Sequence, residues 1–141
     1  MTERPLLQTA EEVLTFVNTV FPAVEGRFFI EDLLPMRIRL RRSVDARDIR
    51  PGGTVSGPAM FETVDCAFYM AVMAMIGPEA LTVTTNATIN FLNKPAPVDL
   101  ICEARVLKLG KLLATGDATV YSRGSDRPVA HATLTYAIPP K

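Results

Sequence analysis

One segment constrains this chain more than any other: SGPAMFETVDCAFYMAVMAMIGP, residues 56–78. Ser56 is a good N-cap, and Pro58 fits a first helical turn, where a missing N–H costs nothing. Gly77-Pro78 is a stop. The spacing predicts a helix from Gly57 to Ile76. Beyond Asp65 that helix is apolar on every side, and such a helix must be covered all round. In a chain of 141 residues the covering has to come from the rest of the same domain and from a subunit interface.

The rest of the chain offers strands for that purpose. Residues 81–93, 98–110, 111–123 and 128–138 each read as a strand, with turns at Gly110 and at RGSDRP. Before the helix, Met36, Ile38 and Leu40 alternate with Arg37, Arg39 and Arg41, giving a strand with one apolar and one basic face. Pro51, Gly52 and Gly53 mark the following stretch as loop. At the start, Val13, Leu14, Phe16, Val17 and Val20 recur at helical spacing after a Thr9 N-cap, and Pro22 ends that helix. The expected architecture is α+β: one domain over residues 1–141, residues 1–25 being an N-terminal helical segment. An antiparallel meander of four strands curls over the long helix.

The charge balance narrows the partners. Fifteen Lys and Arg against fifteen Asp and Glu leave no basic surplus for nucleic acid. Cys66 and Cys102 lie in apolar patterns and read as buried thiols. One His and two separated Cys form no metal-binding cluster. The apolar run is bounded by Asp65 and by Gly77-Pro78, short of a bilayer's width, and no secretory signal opens the chain. The expectation is a cytoplasmic protein with no membrane partner.

Three segments carry a family resemblance: GGTVSGPAMFETVDCAF (52–68), VTTNATINFLNKPAPVDLICEARVLKLGK (83–111) and VAHATLTYAI (129–138). From about Met36 to Ile138 the chain resembles the hot-dog fold acyl-CoA thioesterases, most nearly the PaaI-like family of phenylacetate degradation. The resemblance implies a long central helix wrapped by a curled antiparallel sheet. It implies hydrolysis of an acyl-CoA with no cofactor beyond the coenzyme A of the substrate. Asp65 falls on the family's catalytic carboxylate, Gly57 on the first glycine of its H-G-G, and Thr84 on a Ser or Thr that helps place water. Ser56 stands in place of the histidine, Pro58 replaces the second glycine, and Arg50 takes the place of an Asn or Gln. The resemblance also implies a homodimer, extending to a tetramer, with the site at the dimer interface.

The residues themselves support such chemistry. A helix N-terminus offers free N–H groups and partial positive charge to an oxyanion. Pro58 has no N–H, so Gly57 or Ala59 must donate. Asp65 lies eight residues further on, about 12 Å along the axis. That is too far to share one carbonyl with Gly57 of its own chain.

Other residues have more than one reading. Glu62 either acts on Asp65 from the same helix face or pairs with an arginine. Lys94, Lys108, Lys111 and Arg123 are candidates for coenzyme A phosphates, and Ser56, Arg50 and Glu62 for other substrate contacts. His131 reads as structural. Two other functions stay open: an acyl-CoA-binding protein without catalysis, and a dehydratase or hydratase, which the single, distant histidine disfavours.

Overall fold

The computed structural model describes residues 4–140. The expected domain limits at residues 1–3 and 141 lie outside them. Helix α1 spans Ala10–Val20, and a 3₁₀ turn follows at Pro22–Val24. Then come β1 (Phe28–Leu34), β2 (Arg37–Arg42), the two-residue strands β3 (Ile49–Arg50) and β4 (Thr54–Val55), and the long helix α2 (Gly57–Ile76). Strands β5 (Val83–Phe91), β6 (Leu100–Leu109), β7 (Leu113–Ser122) and β8 (Pro128–Ala137) complete the chain.

The local signals explain most of these boundaries. The Thr9 hydroxyl accepts from the Glu12 N–H at 3.2 Å, and the Glu12 carboxylate accepts from the Thr9 N–H at 3.0 Å. This reciprocal cap starts α1. Ser56 caps α2 through the Ala59 N–H, 3.3 Å away, and Gly77 closes it at φ 91°, a conformation glycine adopts freely. Helix α2 is long and apolar enough to cross a bilayer, yet it is the core: thirteen of its residues, Phe68, Met70 and Met73 among them, are buried against the sheet.

Three expectations are corrected. The basic-faced strand begins at Arg37, not Met36, and a further strand, β1, precedes it. Met36 lies in the turn between them at φ 68°, and β1 pairs antiparallel with β2. The loop after β2 is not wholly irregular: a 3₁₀ turn at Ala46–Asp48 leads into the β3–β4 pair. The last four strands are not a simple meander. The sheet order is β1-β2-β6-β7-β8-β5, so β5 crosses over and pairs with β8 at the far edge. That puts β5 beside α2 with one side of its backbone unpaired.

The sheet curls through register breaks at Ile30/Asp32, Thr84/Asn86, Val106/Lys108 and Val120/Tyr121. At Gly116 in β7, a Cβ would lie 2.0 Å from the Arg105 carbonyl oxygen and 2.5 Å from the Phe68 ring. Only glycine lets α2 come this close to the sheet.

Candidate active site

Helix α2 has one open stripe: Gly57, Pro58, Phe61, Glu62, Asp65 and Cys66, spaced to share a face. Asp65 is half-buried on it. The Thr84 hydroxyl donates to Asp65 Oδ1 at 2.7 Å. The Tyr136 hydroxyl, from β8, shares its single proton between the same Oδ1 and the Asp65 carbonyl, 2.7 Å away. Burial, with the Asp65 carboxylate beside it, pushes the Tyr136 phenol well above its usual range, so it remains a donor. Two hydroxyls thus converge on one carboxylate oxygen. Oδ2 is left to meet a substrate or a water.

Sequence reading placed Asp65 and Thr84 together, and the structure does so. It passed over Tyr136, which is 2% exposed. The signal was present: Ala130, Ala132, Leu134 and Tyr136 share the inward face of β8, and a tyrosine turned inward needs a partner for its hydroxyl.

The helix N-terminus leaves one N–H without an acceptor among the described residues. The Ala59 N–H is taken by Ser56 Oγ at 3.3 Å, and the Ser56 N–H by the Asp48 carbonyl at 2.7 Å. Pro58 has none. Among the described residues nothing accepts from the Gly57 N–H, so this group is the one left to bind an oxyanion. Ser56 is a cap, as its position in sequence suggested.

Glu62 pairs with an arginine. Arg42 Nη2 lies 2.9 Å from Glu62 Oε1, while Arg42 Nη1 and Nη2 bond Asp48 Oδ2 and Oδ1 at 3.0 and 3.1 Å. The Arg42 side chain is only 3% exposed. Burial opposes its charge, but the two carboxylates outweigh that and raise its pKa. Sequence reading passed over Arg42 too. It breaks the alternation of Arg37, Arg39 and Arg41 and falls on the inward face with Ile38 and Leu40. An inward arginine requires carboxylate partners.

Two clefts reach Asp65. One, of about 690 Å³, runs along the stripe past Gly57, Phe61, Ile89 and Phe91. The other, of about 560 Å³, opens between α2 and the N-terminal segment. Arg50 lies elsewhere, in a groove with Lys94 beside Gly57 and Phe91. Lys108 and Lys111 are exposed at the β6–β7 turn and line neither cleft that reaches Asp65. His131 faces away from the site, its Nε2 3.0 Å from Asp117 Oδ2, and Arg105 holds the other oxygen of that carboxylate at 2.7 Å. Burial pushes the Cys66 thiol up to about 12, so it stays protonated near neutral pH.

Known proteins share this arrangement of helix and sheet. The sequence model of the thioesterase superfamily matches residues 52–129. A candidate thioesterase from Silicibacter sp. TM1040 is 44% identical, with 99% of this chain and 97% of that one covered and a TM-score of 0.91. A mutant of the phenylacetic acid degradation protein PaaI from Thermus thermophilus shares the fold: 22% identity, 84% and 99% covered, TM-score 0.72. So does a hypothetical thioesterase from Streptococcus pneumoniae, solved with coenzyme A: 16% identity, 91% and 98% covered, TM-score 0.77. No curated protein matches the chain.

Proposed function

Because the chain belongs to the thioesterase superfamily and is a thioester hydrolase of hot-dog fold, we propose that it hydrolyses an acyl-CoA to free acid and coenzyme A, at a site completed by a second copy of itself. The observation that carries this reading is the Asp65 carboxylate, held by Thr84 and Tyr136 where two clefts meet.

Asp65 Oδ2 takes a proton from a water, and the water oxygen bonds to the thioester carbon. The carbonyl oxygen becomes an oxyanion and accepts from a Gly57 N–H. The tetrahedral intermediate collapses, the C–S bond breaks, and the sulfur leaves with the proton returned by Asp65. Thr84 has spent its own proton on Asp65, so it orients the carboxylate and meets water only as an acceptor.

Distance and the edge strand support a second copy. Gly57 and Asp65 of one chain are about 12 Å apart. Gly57 lies by Phe91 at one end of β5, and Asp65 by Thr84 at the other. If two β5 edges pair antiparallel about a two-fold axis, the ends are exchanged. The partner's helix N-terminus then comes to Asp65. Val83 and Phe91, each 54% exposed, and Phe61, 39% exposed, supply the apolar surface for such a contact. Arg50 and Lys94 beside Gly57 would travel with it and meet coenzyme A phosphates. The neighbour that holds coenzyme A supports this choice of substrate.

The test is Asp65→Asn, with thiol release followed over a panel of acyl-CoAs and size measured by sedimentation. The variant should keep the parent's fold and assembly and lose nearly all turnover. Parent-level release by the variant refutes the assignment.

A further inference from the structure

A thioester held at Asp65 has two halves, and two clefts meet there. The groove beside Gly57 carries Arg50 and Lys94. The cleft of about 560 Å³ on the other side of Asp65 is different: the charged groups among its lining residues are Asp65 and Glu62. Resting on the reading above, we propose that this second cleft is the acyl pocket, that the N-terminal segment forms its outer wall, and that it admits uncharged, apolar acyl groups and rejects those ending in a carboxylate.

The wall is built from the end of α1 and the turn after it. Val17, Val20, Phe21 and Val24 face Cys66 and Tyr69 of α2 across the cleft. The Phe21 ring meets Tyr69 edge-on, centroids 5.5 Å apart, and so joins the N-terminal segment to α2. Tyr69 is one helical turn beyond Asp65, about 6 Å along the axis, which sets the direction of an acyl chain leaving the carboxylate. This wall lies outside residues 52–129, the part that the superfamily model matches.

The polar groups around the cleft are already engaged or withheld. Tyr136 is bonded to Asp65. The Tyr69 hydroxyl donates to the Ala80 carbonyl at 3.4 Å, and burial pushes its pKa up to about 12, so it stays neutral. The Thr82 hydroxyl has no partner but is covered from solvent. Arg42, the cation behind Glu62, is consumed by Glu62 and Asp48. A carboxylate entering here would lose its water, find no cation left to pair with it, and face the Asp65 carboxylate. An alkyl chain would lose only apolar hydration, which favours binding.

The experiment compares hexanoyl-CoA with adipoyl-CoA, equal in carbon count but differing in a terminal carboxylate, on the full-length protein. It also measures decanoyl-CoA on the parent, on Phe21→Ala and on Val20→Phe. We expect kcat/KM to be about 100-fold or more higher for hexanoyl- than for adipoyl-CoA. The decanoyl-to-hexanoyl ratio should rise about 10-fold in Phe21→Ala and fall in Val20→Phe. Phe21 is 43% exposed, so its truncation should leave the fold intact, checked by the unfolding midpoint. Equal rates on the two six-carbon substrates, or ratios unchanged in both variants, overturn the acyl pocket while leaving the hydrolase standing. Failure of the parent to hydrolyse any acyl-CoA overturns both.

Discussion

Replacing Arg42 by methionine should destabilise the protein in a pH-dependent way. The guanidinium makes two bonds to Asp48 at 3.0 and 3.1 Å, one to Glu62 at 3.0 Å and one to the Ser43 carbonyl at 3.0 Å. Methionine is unbranched and flexible enough to fill the space but supplies no donor. Glu62, with a side chain 38% exposed, can turn to water; Asp48, at 9%, cannot. Breaking a buried ion pair by removing one partner costs about 3–5 kcal/mol. Arg27, 3.7 Å from Asp48 Oδ1, remains as partial compensation, which places the expected loss near the lower end, about 3 kcal/mol. For a chain of this size the unfolding midpoint should fall by roughly 10 °C.

The pH dependence has a definite sign. In the parent, burial opposes the Asp48 charge, but the Arg42 hydrogen bonds outweigh it and hold the pKa below the usual carboxylate value. That stabilisation is complete above the unfolded-state value, about 4, and is lost as pH falls through the folded-state value. In the variant burial is opposed only by the Asp45 N–H, 3.0 Å from Asp48 Oδ2, and the longer Arg27 contact, so the penalty is full at pH 7 and relieved as pH falls toward about 4. Urea unfolding of parent and Arg42→Met at pH 7 and near pH 4.5 checks both points. A loss under about 1 kcal/mol at pH 7, or a gap that fails to narrow at the lower pH, refutes the reasoning.

Two further outcomes follow from the site and the core. Tyr136→Phe keeps the ring against Phe68, 5.2 Å between centroids, but removes a hydrogen bond to a charged group. It should lower kcat about 10- to 100-fold with KM little changed. The same change should do nothing further in Asp65→Asn, since Tyr136 acts through that carboxylate. Gly116→Ala drives a methyl group into the Arg105 carbonyl and the Phe68 ring. It should cost about 3 kcal/mol or more, read as a drop in the denaturant midpoint.

Much of this molecule can be read locally. The limits of α2 follow from Ser56, Pro58 and Gly77, and the cap of α1 follows from Thr9 and Glu12. The inward faces of β6, β7 and β8 follow from alternation, and Asp65 and Thr84 from the motif that holds them. Each of these depends on neighbours within a few residues along the chain. The missed residues depend on partners far along it. Arg42 is 20 residues from Glu62, and Tyr136 is 71 from Asp65. The inward phase of each side chain was visible, but phase does not reveal which group waits opposite.

The sequence by itself determined that an apolar helix must be enclosed by strands, where that helix begins and ends, and that Glu62 and Asp65 share one of its faces. Tertiary structure decided that β5 leaves the meander to pair with β8. That crossover places Thr84 and Tyr136 side by side under Asp65 and leaves a free edge running beside Gly57. Strand alternation is a one-chain property with a period of two. Strand pairing is a contact between distant segments, fixed only when the whole sheet closes over the helix.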